Sequence, residues 1–502
     1  MLGGVRPSAA RRSWWLREAL AGESPELATA APPLVGSRTA DVVIVGGGYT
    51  GLWTAWRLTE LEPGARIVIL EADICGGGPS GRNGGFVTGW WDELPTLVER
   101  HGPDGALAMA RAIDEAVDAI GAWCGANGVD AWYTKAGALS VSAAPAQDRG
   151  WDPAVEACRA VGAGEEFVPL SGDEVRARVD SPVFRGGVLM RGAATVQPAF
   201  LARGLRGALL ARGVTIHEGT SVVELDGERP GALGGVAAAR RRAPAGRAGR
   251  PVRIRTTSAL GDGEVTAHSA VVALNAWAAA WPLFGRRLVT WSSYIVLTEP
   301  LPDRLADLGW TGGEGLSDGR FTVHYMRTTP DGRIALGGGG GRAGFGGRIG
   351  PAFSDDVRSA RRAAAGLRRL FPSLRDVRIE DAWGGPIDIT ADHLPMFATV
   401  PGRPIHFGHG YSGNGVAPAV VGGRILAALA LEQGRDPALA LPVVGAVSRA
   451  FPPEPLRYVG ARIVREAIVR TESAHERGRK PGPLLRQLSR LPRRLGYHLG
   501  PE

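Results

Sequence analysis

The stretch Asp41-Val-Val-Ile-Val45, followed at once by Gly46-Gly-Gly48-Tyr49-Thr50-Gly51, decides the fold. The first five residues read as a strand buried on both faces, and residues 49–61 carry the period of an amphipathic helix. Between them the glycines have separate tasks: Gly46 makes the tight turn, Gly48 lets a pyrophosphate approach the backbone, and Gly51 lets helix and strand pack closely. The helix opening at Tyr49 and Thr50 offers unpaired N–H groups and partial positive charge to the phosphates.

The pattern G-x-G-x-x-G alone is weak in a chain with 74 glycines among 502 residues. It starts at Gly46, Gly76, Gly339 and Gly408, and only the first match follows an apolar strand and opens an amphipathic helix. A second strand, 66–70, ends at Glu71-Ala72, 20 residues after Gly51. A carboxylate there accepts hydrogen bonds from an adenosine ribose and repels the 2′-phosphate of NADP. The next glycine-rich loop carries Ser80, Arg82, Asn83, Gly84 and Gly85. An NAD dehydrogenase has no use for it. A flavoprotein uses such a loop to bring backbone near the rest of FAD, with Arg82 and Asn83 at phosphate or isoalloxazine.

Composition is that of a globular chain, 44% hydrophobic and 22% charged, without an apolar run long enough to span a bilayer. Arg11, Arg12, Arg17, Glu18 and Glu23 leave no apolar core for a secretory signal. Cys75, Cys124 and Cys158 have no paired spacing, which argues against a metal site or disulfide framework and for the cytoplasm. The net charge of +8 comes almost wholly from arginine and reads as compositional bias with scattered basic residues, so no nucleic-acid partner is expected.

Further strand signals fall at 214–217, 221–225, 252–256 and 268–274, and helical patterns at 104–126, 199–212, 354–370 (Ser354 as N-cap) and 413–433. The fold class expected is α/β: a Rossmann-like FAD-binding domain interleaved with an α+β substrate domain on a large mixed sheet. Residues 1–38 read as a loose arm pinned by Trp14, Trp15 and Leu16. Residues 39–95, 180–290 and 380–445 read as the FAD-binding part, and 96–179 and 291–379 as the substrate part. Residues 227–251 read as a hairpin tip. Residues 446–502 read as a basic surface tail with an amphipathic helix near 455–475.

The chain resembles the D-amino-acid-oxidase-like FAD oxidoreductases, the γ-glutamylputrescine oxidase branch in particular, over about residues 39–445. The likeness is carried by the first turn, by LEADICGGGPSGRNGG (70–85), ATVQPAFLARGL (194–205), YMRTTPDGRIALGGG (325–339) and GHGYSGNGVAPA (408–419). The resemblance implies that Gly46, Gly48, Tyr49, Thr50 and Gly51 hold pyrophosphate, Glu71 and Ala72 the ribose, and Val222 the adenine. It places Ser80, Arg82, Asn83, Gly84 and Gly85 near the flavin, and Gly410, Gly413, Asn414, Gly415 and Val416 at its pyrimidine end. There, N–H groups opening a helix stabilise negative charge on reduction.

One departure bears on substrate. Amino-acid oxidases of this family carry an arginine for the substrate carboxylate where this chain has Ile387, in Trp383-Gly-Gly-Pro-Ile387-Asp388. The expected reaction is therefore oxidation of an amine, such as a polyamine derivative like γ-glutamylputrescine, to an imine hydrolysed to an aldehyde, with O2 reduced to H2O2. No cysteine follows Cys158 and no histidine precedes His101, so FAD is expected to be noncovalent. Tyr325, Arg327, His393 and Tyr411 are the catalytic candidates; His324 is a further proton acceptor; Trp90, Trp91, Trp291, Tyr294 and Tyr325 itself are candidate walls. The alternatives are a flavin dehydrogenase of sarcosine, glycine or a D-amino acid that passes electrons to a quinone or carrier, and a non-catalytic flavin-binding protein.

Overall fold

The strand quoted first runs from Gly36 to Val45 and lies between two parallel neighbours, Ile67–Leu70 and Gly261–Val272. This computed structural model describes residues 12–231, 250–338 and 340–497. Thr215–His217 extends the sheet in parallel beyond Ile67–Leu70, and Ile405–His409 extends it beyond Gly261–Val272, with Met396–Thr399 antiparallel at that edge. Val252–Ser258 folds back on Gly261–Val272 and pairs with Ser221–Leu225. Helices Tyr49–Leu61, Pro198–Ala211 and Val416–Ala430 pack on one face. A Cβ on Gly423 would lie 2.7 Å from the Trp53 backbone, so glycine sets how closely the first and last of these helices approach.

The second sheet has eight strands in the order Ile379–Ile389, Val289–Thr298, Ile334–Gly338, His324–Thr328, Gly315–Asp318, Ala138–Ser142, Gly186–Met190 and Phe167–Ser171. Gly315–Asp318 and Ala138–Ser142 are parallel; the other neighbours are antiparallel. This is the expected mixed sheet, and the fold is α/β. Its strands at 186–190 and 379–389 fall inside segments assigned from sequence to the FAD-binding part, so the crossings between sheets come later than 180 and 380. Alternation of apolar residues cannot say which sheet a strand joins.

Four other expectations change. The segment before residue 36 is not a loose arm where described: Ser13 caps helix Trp14–Gly22 and Trp15 and Leu16 are fully buried. Ser354 does not cap the later helix, which begins at Val357 after a 3-10 turn at Pro351–Phe353. The helix expected from 413 begins at Val416, because Ser412 (φ 53) and Gly413 (φ 99) are left-handed. Helix 104–126 extends back to Leu94, broken by non-helical Gly102. Residues 1–11, 232–249 of the expected hairpin tip, Gly339 and 498–502 lie outside the described residues.

Candidate active site

A cavity of about 1240 Å³ runs from the first glycine turn to the second sheet. At the turn, Gly46 has φ 113 and a Cβ there would overlap the Ala273 carbonyl; a Cβ on Gly51 would overlap the Gly46 carbonyl. Backbone is therefore as close to backbone as it can come, which leaves the cavity side open. Gly48, Tyr49 and Thr50 line it. The Tyr49 N–H donates to Ser80 Oγ at 2.8 Å, so the second glycine loop itself caps this helix. The Tyr49 ring is buried, its hydroxyl donating to the Pro198 carbonyl.

Glu71 lines the cavity beside Ala72 and Val222. Its carboxylate accepts the N–H of Gly47 (2.7 Å) and of Asp73 (2.9 Å), and burial pushes it up to about 7. In the loop, Arg82 donates to the carbonyls of Gly77 and Gly384, which ties the loop to the second sheet. Asn83 donates to the Pro79 and Ser80 carbonyls and accepts the Gly85 N–H. Gly84 lies under the Tyr325 ring, and Gly85 (φ 77) has no room for a Cβ against the Val196 carbonyl.

The turn at 410–416 hangs on Asp388, a residue that sequence reasoning passed over. Its buried carboxylate accepts the Gly410 N–H at 2.5 Å and Asn275 Nδ2 at 3.0 Å, and burial pushes it up to about 7. Its carbonyl accepts the Ser412 N–H. Asn414 accepts from Thr88, and Gly413, Asn414, Gly415 and Val416 line the cavity. Gly410 (φ 87) lies behind them, pressed on Thr390.

Of the expected walls, Trp291 and Tyr325 line the cavity, with Ile387 opposite Trp291 in the strand register. The Tyr325 hydroxyl pairs with Ser293 at 2.8 Å and burial pushes it up to about 12. Trp90 and Trp91 are instead in the core under the first sheet, and the Tyr294 hydroxyl is spent on the Ala352 carbonyl. His393 lines the cavity from a left-handed turn (φ 60). His324 does not: it is buried behind the strand, on Asp318 at 2.7 Å. Arg327 is likewise outside, buried with Nη1 on the Val196 carbonyl and its guanidinium over the Trp15 ring. Tyr411 touches the cavity, but its hydroxyl is committed to Thr50 at 2.7 Å between two helices. Arg327 and Tyr411 thus hold elements together. Asp92 and Glu93, unmarked in sequence, line the cavity; burial raises both carboxyls, and the Asp92 charge raises Glu93 further.

These residues fit FAD. The volume exceeds the roughly 300–1,000 Å³ of an ordinary small-ligand site, as a dinucleotide plus substrate requires. The glycine cradle leaves no room for side chains, and Asn275 Oδ1, beside the 410–413 turn, is buried without a partner among the described residues.

Comparison with known proteins agrees. The family model "DAO: FAD dependent oxidoreductase" matches residues 41–429. A probable oxidoreductase OrdL of Rhizobium meliloti (strain 1021) is 30% identical over 414 residues, 81% of this chain and 86% of its own. Gamma-glutamylputrescine oxidoreductase of Escherichia coli (strain K12) is 28% identical over 396 residues, 78% and 84% of the two chains. Among solved structures, glycine oxidase from Geobacillus kaustophilus superposes with a TM-score of 0.60 at 18% identity, covering 82% of this chain and all of its own. Iminodiacetate oxidase from Chelativorans sp. BNC1 gives 0.58 at 19%, covering 80% and 99%. The chain belongs to the DAO family of FAD-dependent oxidoreductases.

Proposed function

We propose that this flavoenzyme, of a family acting on CH–NH or CH–NH2 groups, oxidises a primary amine whose carboxylate, where it has one, lies far from the reacting carbon. A polyamine derivative such as γ-glutamylputrescine, the compound named for the Escherichia coli relative, fits that description. The observation that carries this reading is the wall at Ile387. An α-amino acid needs a guanidinium for its carboxylate, and this wall presents an isobutyl-sized apolar group facing Trp291. Arg327 is turned away to Val196.

Bound FAD supplies the acceptor for the two electrons and hydrogen of the C–H bond next to nitrogen. The chain's residues prepare the amine. An ammonium entering the cavity meets Asp92 and Glu93, whose raised carboxyls are matched to take its proton. Tyr325, held protonated by burial, donates a hydrogen bond rather than acting as base. Trp291 and Ile387 exclude water. Water then converts the imine to an aldehyde and ammonia, and O2 leaves as H2O2, so that amine, O2 and H2O balance aldehyde, NH3 and H2O2. The three thiols are buried and none lines the cavity among the described residues, which supports noncovalent FAD in a cytoplasmic setting.

The test is anaerobic titration of the yellow protein with putrescine, γ-glutamylputrescine, sarcosine, glycine and D-alanine. Bleaching by a primary amine alone supports the proposal, with stoichiometric H2O2 on readmitting air. Bleaching by glycine, sarcosine or D-alanine alone rejects it.

A further inference from the structure

The charged residues are spread along the chain, but the net charge is not. Residues 446–502 hold 12 of the 58 Lys and Arg but 5 of the 50 Asp and Glu, a surplus of seven, so nearly all of the net +8 resides there. From Arg477 to Tyr497 there is no acidic residue. Arg477, Arg479, Lys480, Arg486, Arg490 and Arg494 are all exposed, and none has an ion pair among the described residues. This segment lies beyond the part matched by the family model, which ends at 429.

The same segment concentrates exposed apolar side chains. Seven of the thirteen large hydrophobic residues exposed among those described lie between Val447 and Leu495. Leu456, Val459 and Ile463 are spaced to form one stripe of helix Leu456–Glu476; Leu484 lies on the short helix Pro483–Ser489 packed against it, and Leu491 and Leu495 on the helical turn that follows and packs on Pro483–Ser489. Phe451 stacks on Tyr497 at 5.3 Å and Arg449 donates to the Leu495 carbonyl, which brings both ends of the segment together. Leu456, Leu491 and Leu495 are exposed and also line the cavity, so its mouth opens through this patch.

We propose that residues 446–497 seat the enzyme on an anionic lipid bilayer, with the cavity mouth against the headgroups. Leucines among unpaired arginines match an interface in which apolar groups enter the headgroup boundary and cations meet lipid phosphates. A second copy of this face would bring like charges together, and nucleic acid would leave the leucines in water. No helix here is long and apolar enough to cross the membrane, so the contact is peripheral.

The test is co-sedimentation of the FAD-loaded full chain with phosphatidylcholine vesicles, with and without phosphatidylglycerol. Binding is expected only to the anionic vesicles, with release at high salt. The triple variant Arg486→Gln, Arg490→Gln, Arg494→Gln should bind about a hundredfold more weakly, and Leu484→Ser should also weaken binding; an unchanged flavin spectrum and melting temperature show that each is folded. Absence of sedimentation with anionic vesicles at low salt, equal binding to neutral vesicles, preference for duplex DNA over vesicles, or self-association that hides the patch would each overturn the proposal.

Discussion

At Ile387 a single side chain separates two chemistries. Ile387→Arg would place a bidentate carboxylate donor opposite Trp291. The expected outcome is a rise of about tenfold or more in kcat/KM for glycine or D-alanine relative to the amine, checked by steady-state kinetics; an unchanged ratio would mean that substrate carboxylates never reach this wall. Asp92 and Glu93 predict a pH effect. A carboxyl raised above its ordinary range stays protonated, and cannot accept an ammonium proton, until pH passes the raised value. Thus kcat/KM should climb through neutrality, and Asp92→Asn, by removing the charge that raises Glu93, should move that limb to lower pH. At Asp388, Ala would strand the Gly410 N–H and Asn275 Nδ2. A loss of about 2–3 kcal/mol in denaturant unfolding and a lower flavin content are expected. That Gly46, Gly48 and Glu71 line the cavity was legible because a tight turn between strand and helix, and an acid ending the next strand, mark the sequence by residue type and spacing. Asp92, Glu93 and Asp388 were not, since nothing in a sequence marks which carboxylates will be buried. Arg327 misled for a different reason. It shares a sheet face with Tyr325, two residues away, but the N-terminal helix covers the strand beyond Tyr325.

That helix, Trp14–Gly22, is the element whose importance the sequence hid. It lies in an Ala-, Pro- and Arg-rich sequence that looks like a tail. Its buried stripe joins Trp15 to Trp132 and Trp383 edge-on, with ring centroids 6.4 and 5.8 Å apart, and so locks the chain's beginning onto the second sheet. Trp15→Ala should cost about 3–5 kcal/mol, read from chemical denaturation; a change below 1 kcal/mol would show the helix to be dispensable. The strand–turn–helix at 41–61 was readable because strand burial, turn glycines and helix period all agree there. The helix starts at 357 and 416 were not, because 3-10 and left-handed turns decided by tertiary neighbours set them. The helix Leu456–Glu476 was readable as amphipathic, but its apolar residues divide between cavity and surface, a division that periodicity cannot express.

Over the whole molecule, the nucleotide-binding sheet draws its parallel strands from residues 36–45, 67–70, 215–217, 261–272 and 405–409, while the second sheet takes the segments between. Any cut between residues 45 and 405 divides the nucleotide-binding sheet. A fragment ending at residue 290 is therefore expected to retain no yellow colour after gel filtration with FAD; a fragment that did would show that the strand at 405–409 and the turn at 410–416 are not needed for the seat. The interleaving also orders events in the cell. On the ribosome the first glycine turn emerges early, but Asp388 and the turn it holds emerge much later, so the flavin seat cannot be complete until they do. Flavin capture must then wait until residues 388–416 have emerged. A cell starved of riboflavin should accumulate finished, colourless chains with an open cleft, and these, rather than nascent chains, would be what its proteases remove.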